Sequence, residues 1–211
     1  MARTSASSHI SMKQAKALTD SAHFAARLGL PLNYHLTMHL SAEESATTDA
    51  DAQRLRQQVF ERARKWLQRR GYDLIAVWVL ERSATLGLHC HMALHLSPEH
   101  APAFRQKLFE WSDASNPRAI DLRRVGPPLW LDGLLRYMLK GSEEKVHERY
   151  GVPHDDMHNR RNQGTITVKR TGITTAINTK AQKNYKPELL AIAGARGTTL
   201  AYLLGRTRQA G

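Results

Sequence analysis

The sequence predicts an α+β fold built on one antiparallel sheet, and three observations lead to that prediction. The chain has 211 residues, 41% hydrophobic and 24% charged, which is enough to bury one substantial core. Segments that alternate apolar and polar residues, as half-buried strands do, are interspersed with segments whose apolar residues recur at helical spacing. The order of these segments is β-α-β-β-α-β-α. We expect a flexible segment over residues 1–30, a main domain over residues 31–150 and an extension over residues 151–211.

The first half of the main domain contains three predicted elements. Residues 33–40 alternate between apolar and polar side chains and predict a strand with one buried face. After candidate caps around Thr48, apolar residues at helical spacing predict an amphipathic helix that ends at Gly71. Residues 72–81 are apolar and rich in strand-forming residues, which predicts a strand buried on both faces, followed by a turn through residues 83–87.

The second half repeats this pattern. Residues 88–96 alternate again and predict a strand, and Ser97 followed by Pro98 marks the start of a helix. Residues 119–125 can form a further strand, and the segment after Pro128 has leucines at helical spacing. The complete order matches a ferredoxin-like arrangement, an antiparallel sheet with helices on one face, with one helix added.

Basic residues are concentrated in the extension. The net charge is +12, and residues 158–211 contain ten Lys or Arg against one acidic residue, Glu188. A basic excess attracts polyanions, so nucleic acid is the leading partner, although such a tail can also be a nonspecific solubilising or RNA-contacting extension. Structural signals there are weak: a short strand over residues 165–168 and short helices over residues 187–193 and 200–204. The candidate phosphate-binding residues are Arg160, Arg161, Lys169, Arg170, Lys180, Lys183 and Lys186.

The compartment is predicted from what the sequence lacks. Cys90 is the single cysteine, which excludes an internal disulfide. No apolar run approaches the roughly 18 residues needed to cross a bilayer, and residues 1–20 do not resemble a secretory signal. We expect a cytoplasmic protein with no membrane partner.

A histidine pair and an acid form the first candidate site. His89 and His91 lie two residues apart on a predicted strand, so both imidazoles project from one face while Cys90 points to the other. Glu81 ends the preceding strand, and a hairpin would bring its carboxylate across from the pair. Two imidazoles and a carboxylate leave coordination positions open, as a catalytic divalent ion requires. The chain has 11 histidines, however, and such pairs also arise by chance.

Tyr137 and Lys140 form the second candidate pair. Three residues apart on a helix, they share one face. A tyrosine hydroxyl is almost fully protonated at neutral pH, so as a nucleophile it needs a polarised phosphate and a nearby positive charge, which Lys140 can supply. The alternative is an ordinary core helix with both side chains at its rim.

Together these motifs resemble the HUH endonucleases, in particular the single-tyrosine rolling-circle replication initiators (Rep type). Residues 36–40 (LTMHL) resemble the first family motif, residues 89–91 (HCH) the His-hydrophobic-His motif and residues 137–140 (YMLK) the Tyr-x-x-Lys motif. Glu81 corresponds to the acid upstream of the histidines. Cys90 departs from the usual hydrophobic middle residue, which a buried thiol can replace. The resemblance covers about residues 33–144.

The resemblance implies a mechanism and a partner. Glu81, His89 and His91 would bind Mg²⁺ or Mn²⁺, and Tyr137 would attack single-stranded DNA, leaving a 5′-phosphotyrosine and a free 3′ hydroxyl. No second tyrosine lies three or four residues from Tyr137, so two-tyrosine initiators match poorly. The sequence has no G-x-x-x-x-G-K-[ST] loop, so a separate helicase is the expected partner.

Three other functions remain open at this point. An HUH-type transposase would use the same residues. A noncatalytic DNA-binding regulator would hold a structural Zn²⁺ or merely pack the histidines. His35-Leu36-Thr37 and His95-Leu96-Ser97 resemble the paired motifs of two-histidine RNA phosphoesterases, which need no metal. His35 and His39 could also face the metal cleft, but we do not expect them to be ligands.

Overall fold

A computed structural model describes residues 6–40, 48–83, 87–112, 114, 116, 118–126, 129–152 and 164–185. Over these residues the chain forms one five-stranded antiparallel sheet and six helices, which confirms the α+β prediction. The strands are β1 (Tyr34–His39), β2 (Ala76–Ser83), β3 (Gly87–Leu94), β4 (Ile120–Arg124) and β5 (Thr171–Ile173). The helices are α1 (Met12–Arg27), α2 (Asp49–Gln68), α3 (Ala101–Ser112), α4 (Leu129–Met138), α5 (Glu144–Tyr150) and α6 (Thr179–Lys183).

The strand order in the sheet is β4-β1-β3-β2-β5. β2 and β3 form the hairpin expected from the sequence, and it places Glu81 directly opposite His89. On the other side of β3, Thr37 of β1 lies opposite His91 and His39 lies opposite His89. Because residues opposite each other in a ladder point to the same face, the register gathers these side chains on one side of the sheet.

One face of the sheet is covered by α2 and α3. The first of these helices begins at Thr48, whose hydroxyl accepts from the Asp51 amide while the Asp51 carboxylate accepts from the Thr48 amide. Its apolar stripe and that of α3 bury the even-numbered residues of β1, β2 and β3. This core includes Leu36, Met38, Val59, Trp66, Trp78, Leu80, Cys90, Met92, Phe104 and Leu108.

The opposite face is covered by α1, which the sequence did not predict, and by α4, the helix expected in addition to the two that share the first face. The expectation of a flexible segment over residues 1–30 is wrong across Met12–Arg27, which forms a 16-residue helix. Ser11 and Gln14 cap its start reciprocally, and a stripe that includes Leu18 and Phe24 is buried against the sheet.

Part of the extension is built into the same sheet. β5 pairs with the outer edge of β2, with Gly172 opposite Trp78. A Cβ atom at Gly172 would lie 2.3 Å from the Trp78 ring, so only glycine fits there. The short strand expected at residues 165–168 is absent; Ile166 makes an isolated bridge to Ser7 instead. The short helices expected at residues 187–193 and 200–204 lie outside the described residues.

Within the ranges described, none of the helices combines the length and apolar character needed to cross a bilayer.

Candidate metal and nucleophile site

The three residues expected to bind metal lie together on the α1 and α4 side of the sheet. Nε2 of His89 is 3.5 Å and Nε2 of His91 is 3.4 Å from Oε2 of Glu81. Potential ligand atoms of the three side chains all lie within 4.8 Å of one another. Glu81 is only 1% exposed, and both histidines are buried as well. The prediction that these residues converge is confirmed.

The donor set fits a divalent cation. Neither carboxylate oxygen of Glu81 has a hydrogen bond of good geometry, and neither has Nε2 of His91, although all three atoms are buried. Buried polar atoms without a partner are costly, so native proteins rarely keep them without a reason. Two imidazole nitrogens and a carboxylate oxygen are ligands that Zn²⁺, Mn²⁺ and Mg²⁺ sites use in different proportions, and they leave room for substrate oxygens.

The ionisation states also suit a cation. Burial by itself would raise the pKa of Glu81, but contacts with His89 and His91 and the charge of Lys140 lower the pKa below its usual value. Burial lowers the pKa of His91, and Glu81 opposes that shift only in part. At neutral pH the carboxylate is therefore charged and His91 is neutral, which are the forms that bind metal.

Tyr137 and Lys140 reach this cluster from α4. Lys140 lies just beyond the end of the helix, where its amide donates to the carbonyl of Tyr137 over 3.2 Å. Its Nζ is 2.9 Å from Oε2 of Glu81 and 3.8 Å from the centre of the Tyr137 ring. Burial opposes the charged form of Lys140, but Glu81 and Tyr137 together outweigh it and the pKa of the ammonium is raised. Lys140 therefore joins the tyrosine to the metal ligands as a cation.

Tyr137 stands at the border between the cluster and solvent. Its ring centre is 5.1 Å from that of His91, at an angle of 80°, and its side chain is 44% exposed. An exposed aromatic ring is within reach of a large substrate, while the contact with His91 keeps it beside the candidate metal ligands.

Strand β1 adds two histidines, which we did not expect to be metal ligands, and a hydroxyl. Nδ1 of His91 lies 3.1 Å from Nε2 of His35 and 3.2 Å from Oγ1 of Thr37. The His39 ring centre is 5.8 Å from that of His89. Burial, followed by the neighbouring His91, lowers the pKa of His35 to about 4. His35 is therefore neutral at physiological pH.

A cavity of about 480 Å³ opens beside Tyr137 and the histidines. Three arginines line it together with the site residues: Arg105 from α3, Arg118 from the segment that follows, and Arg123 from β4. Sequence reasoning missed them because they come from three elements and form no local pattern. Only Arg123 carried a signal, since it lies opposite His35 in the ladder and therefore shares the face of the site.

The basic residues of the extension do not line this cavity where they are described. Arg170 is 2% exposed, and its guanidinium donates to the Ser7 and Gly164 carbonyl oxygens and to the Ser7 hydroxyl. Its predicted role as a surface contact to DNA phosphates is wrong, because its donors are directed into the protein. Lys169, Lys180 and Lys183 are exposed elsewhere on the surface. Arg160, Arg161 and Lys186 lie outside the described residues.

In comparisons with known proteins, no family model, no curated protein and no solved structure matches this chain. The resemblance to HUH endonucleases therefore depends on the motifs and their spacing alone.

Proposed function

We propose that this chain is a divalent-metal-dependent endonuclease that nicks single-stranded DNA with Tyr137 and stays joined to the new 5′ end. The observation that carries the proposal is the position of Lys140, 2.9 Å from Glu81 Oε2 and 3.8 Å from the Tyr137 ring centre. One cation thus links a solvent-facing phenol to a buried acid and histidine cluster. A rim tyrosine on an ordinary core helix would not need this arrangement.

In the proposed reaction, the Tyr137 oxygen forms a bond to phosphorus while the bond from phosphorus to the 3′ oxygen breaks. The 3′ oxygen leaves with the electron pair and takes up a proton, and the phenol proton passes to solvent. Lys140 stabilises the negative charge that develops on the phenol oxygen. A divalent ion held by Glu81, His89 and His91 would supply Lewis acidity toward the phosphate. Because a phosphodiester is retained, the 3′ hydroxyl can reverse the step and rejoin or transfer the strand.

The arginines of the cavity are the proposed contacts to the DNA backbone near the cut. Arg105, Arg118 and Arg123 lie around the same space as Tyr137, and guanidinium groups bind phosphate oxygens well. Binding through such contacts is sensitive to salt because it releases counterions. Exposed lysines of the extension would contact phosphates farther along the DNA strand.

The order of four strands supports a finer description of the fold. We infer a ferredoxin-like core, because β4-β1-β3-β2 is the order that a β-α-β-β-α-β chain takes when its sheet is antiparallel. Helix α1 and strand β5 are then additions to that core. Within the proposed class, a replication initiator working with a separate helicase and a transposase would share this chemistry.

The test uses the full chain and end-labelled single-stranded oligonucleotides of random sequence, some with hairpins. With Mn²⁺ we expect a covalent protein–DNA adduct that survives denaturation and is lost in chelator and in Tyr137→Phe. Tyr72→Phe is the matched control, because Tyr72 is 40% exposed and Tyr137 is 44% exposed, but Tyr72 contacts His100 and lies outside the site. This control should form the adduct normally.

Each other outcome contradicts the proposal in favour of a stated alternative. Cleavage that persists in chelator and in Tyr137→Phe would favour the two-histidine phosphoesterase. Binding without cleavage in all conditions would favour the noncatalytic regulator.

A further inference from the structure

The two histidines of the site differ in what holds their second ring nitrogen. Nδ1 of His89 lies 3.2 Å from the carbonyl oxygen of Gly87, which can only accept a hydrogen bond. Nδ1 of His91 instead faces His35 Nε2 and the Thr37 hydroxyl, each of which can donate or accept. The backbone therefore fixes the tautomer of His89, whereas side chains decide that of His91.

The atom of His91 that would bind a cation is Nε2. It is buried, it has no hydrogen-bond partner, and it is the nitrogen directed at Glu81. A ring nitrogen that binds a cation must carry no proton, so the single proton of neutral His91 must then be on Nδ1. That proton needs an acceptor, and His35 Nε2 at 3.1 Å is the nearer of the two candidates.

We infer that His35 is a positioning residue of the metal site: it accepts the Nδ1 proton of His91 and so keeps Nε2 of His91 free for a divalent ion. The inference rests on the metal site of the proposed function and does not depend on the nicking reaction. The His35 ring packs against those of His91 and Tyr137, with ring centres 5.2 Å and 5.7 Å away. Nε2 of His35 is the ring nitrogen directed at His91.

His39 provides a matched control on the same strand. It lies beside His89 much as His35 lies beside His91, with ring centres 5.8 Å apart and the planes tilted by 35°, against 5.2 Å and 32° for the other pair. The Gly87 carbonyl already accepts from Nδ1 of His89, so the His39 imidazole is not needed for the tautomer of that ligand. His39→Ala therefore removes a similar ring but leaves in place the carbonyl that accepts the Nδ1 proton of His89.

The first test is the affinity of the full chain for Mn²⁺, measured by calorimetry without DNA. We expect His35→Ala to weaken binding by about 10- to 100-fold, the usual effect of losing the group that orients a metal ligand. His35→Gln should largely restore the affinity, because its amide oxygen can accept from Nδ1 of His91. The Mn²⁺ affinity of His39→Ala should stay within about threefold of that of the unchanged chain, a smaller change than the one expected for His35→Ala.

The second test reads the tautomer directly, by long-range proton–nitrogen NMR of the histidine rings in chelator. We expect a protonated Nδ1 and an unprotonated Nε2 in His91 of the unchanged chain. A proton on Nε2 would overturn the inference, and this measurement needs no variant to fold. Thermal unfolding in chelator separates lost folding from lost affinity in the variants.

The outcomes of these tests are separate from those of the nicking assay. The inference is overturned if Mn²⁺ does not bind the unchanged chain, if His35→Ala binds normally, or if His35→Ala and His39→Ala are weakened equally. A chain that shows the expected affinity pattern and tautomer but forms no DNA adduct would contradict the nickase alone.

Discussion

Both faces of β3 are buried, but one carries apolar side chains and the other carries the two histidines of the site. Toward α2 and α3, the strand presents Cys90 and Met92 to a mainly apolar core, and burial raises the pKa of the Cys90 thiol to about 12. Toward α4, it presents His89 and His91 to Glu81, where buried atoms lack hydrogen bonds. One face stabilises the fold, and the other retains polar groups that burial alone would not favour.

This difference indicates where a metal ion could bind. Leaving a buried polar group without a partner costs about 1–3 kcal/mol, and such groups persist in proteins chiefly where a ligand or a reaction needs them. Oε1 of Glu81 and Nε2 of His91 are in this position on the histidine face, while Oε2 of Glu81 is paired with the Lys140 ammonium. Substitutions on the apolar face should therefore change stability alone, whereas substitutions on the histidine face should also change metal binding.

The largest expected effect is on the apolar face. Leu80 precedes Glu81 on β2, is fully buried and points into the core under α2. Leu80→Ala should lower the free energy of unfolding by about 2–5 kcal/mol, because it leaves a cavity in a packed core. Chemical denaturation in chelator measures this loss. A loss below about 1 kcal/mol would mean that the core under α2 is less well packed than described.

The next effect belongs to the neighbouring residue on the other face. In chelator, Glu81→Gln should lower the free energy of unfolding by about 1–3 kcal/mol, because the neutral amide leaves the largely buried Lys140 ammonium without the carboxylate that lies 2.9 Å from it. Mn²⁺ at about 100 times its dissociation constant should stabilise the unchanged chain by about 2.7 kcal/mol. Glu81→Gln should gain little at that concentration. Equal stabilisation of both chains would show that Mn²⁺ binds elsewhere.

Much of the fold could be predicted because each strand carries its own pattern. Alternation located the strands around the histidines, and the short link between β2 and β3 predicted that Glu81 would lie across from the histidine pair, where the structure places it opposite His89. Helix α1 was missed because its buried stripe is rich in alanine and flanked by polar residues, although the pair Ser11 and Gln14 was a readable helix start.

The site was predictable only where its residues are close in sequence or belong to a motif. The roles of His35, Arg105 and Arg118 depend on the placement of β1, α3 and the segment before β4 beside β3, which no local spacing specifies. The opposite error was made with Arg170. Its basic neighbours suggested a surface contact, but the bridge between Ser7 and Ile166 surrounds its guanidinium with carbonyl oxygens.

The smallest expected effect is a dependence of stability on pH that originates on the histidine face. Burial, with His91 as the next cause, lowers the pKa of His35 from its ordinary 6.5 to about 4. Between these values the unfolded chain binds a proton that the folded chain does not, so the free energy of unfolding falls as the pH falls. The lowered pKa values of His91 and Glu81 act in the same direction, Glu81 only at more acidic pH.

For His35 alone, acidification from about pH 7 to about pH 5 should remove up to about 2 kcal/mol of stability. The glutamine of His35→Gln cannot titrate, so the free energy of unfolding of this variant in chelator should fall less steeply over the same interval. Leu80→Ala should be less stable than the unchanged chain at both pH values, but its free energy of unfolding should depend on pH with the same slope. Chemical denaturation of the three proteins at both pH values measures these slopes. Equal slopes for His35→Gln and the unchanged chain would mean that His35 is protonated as readily in the folded protein as in the unfolded one.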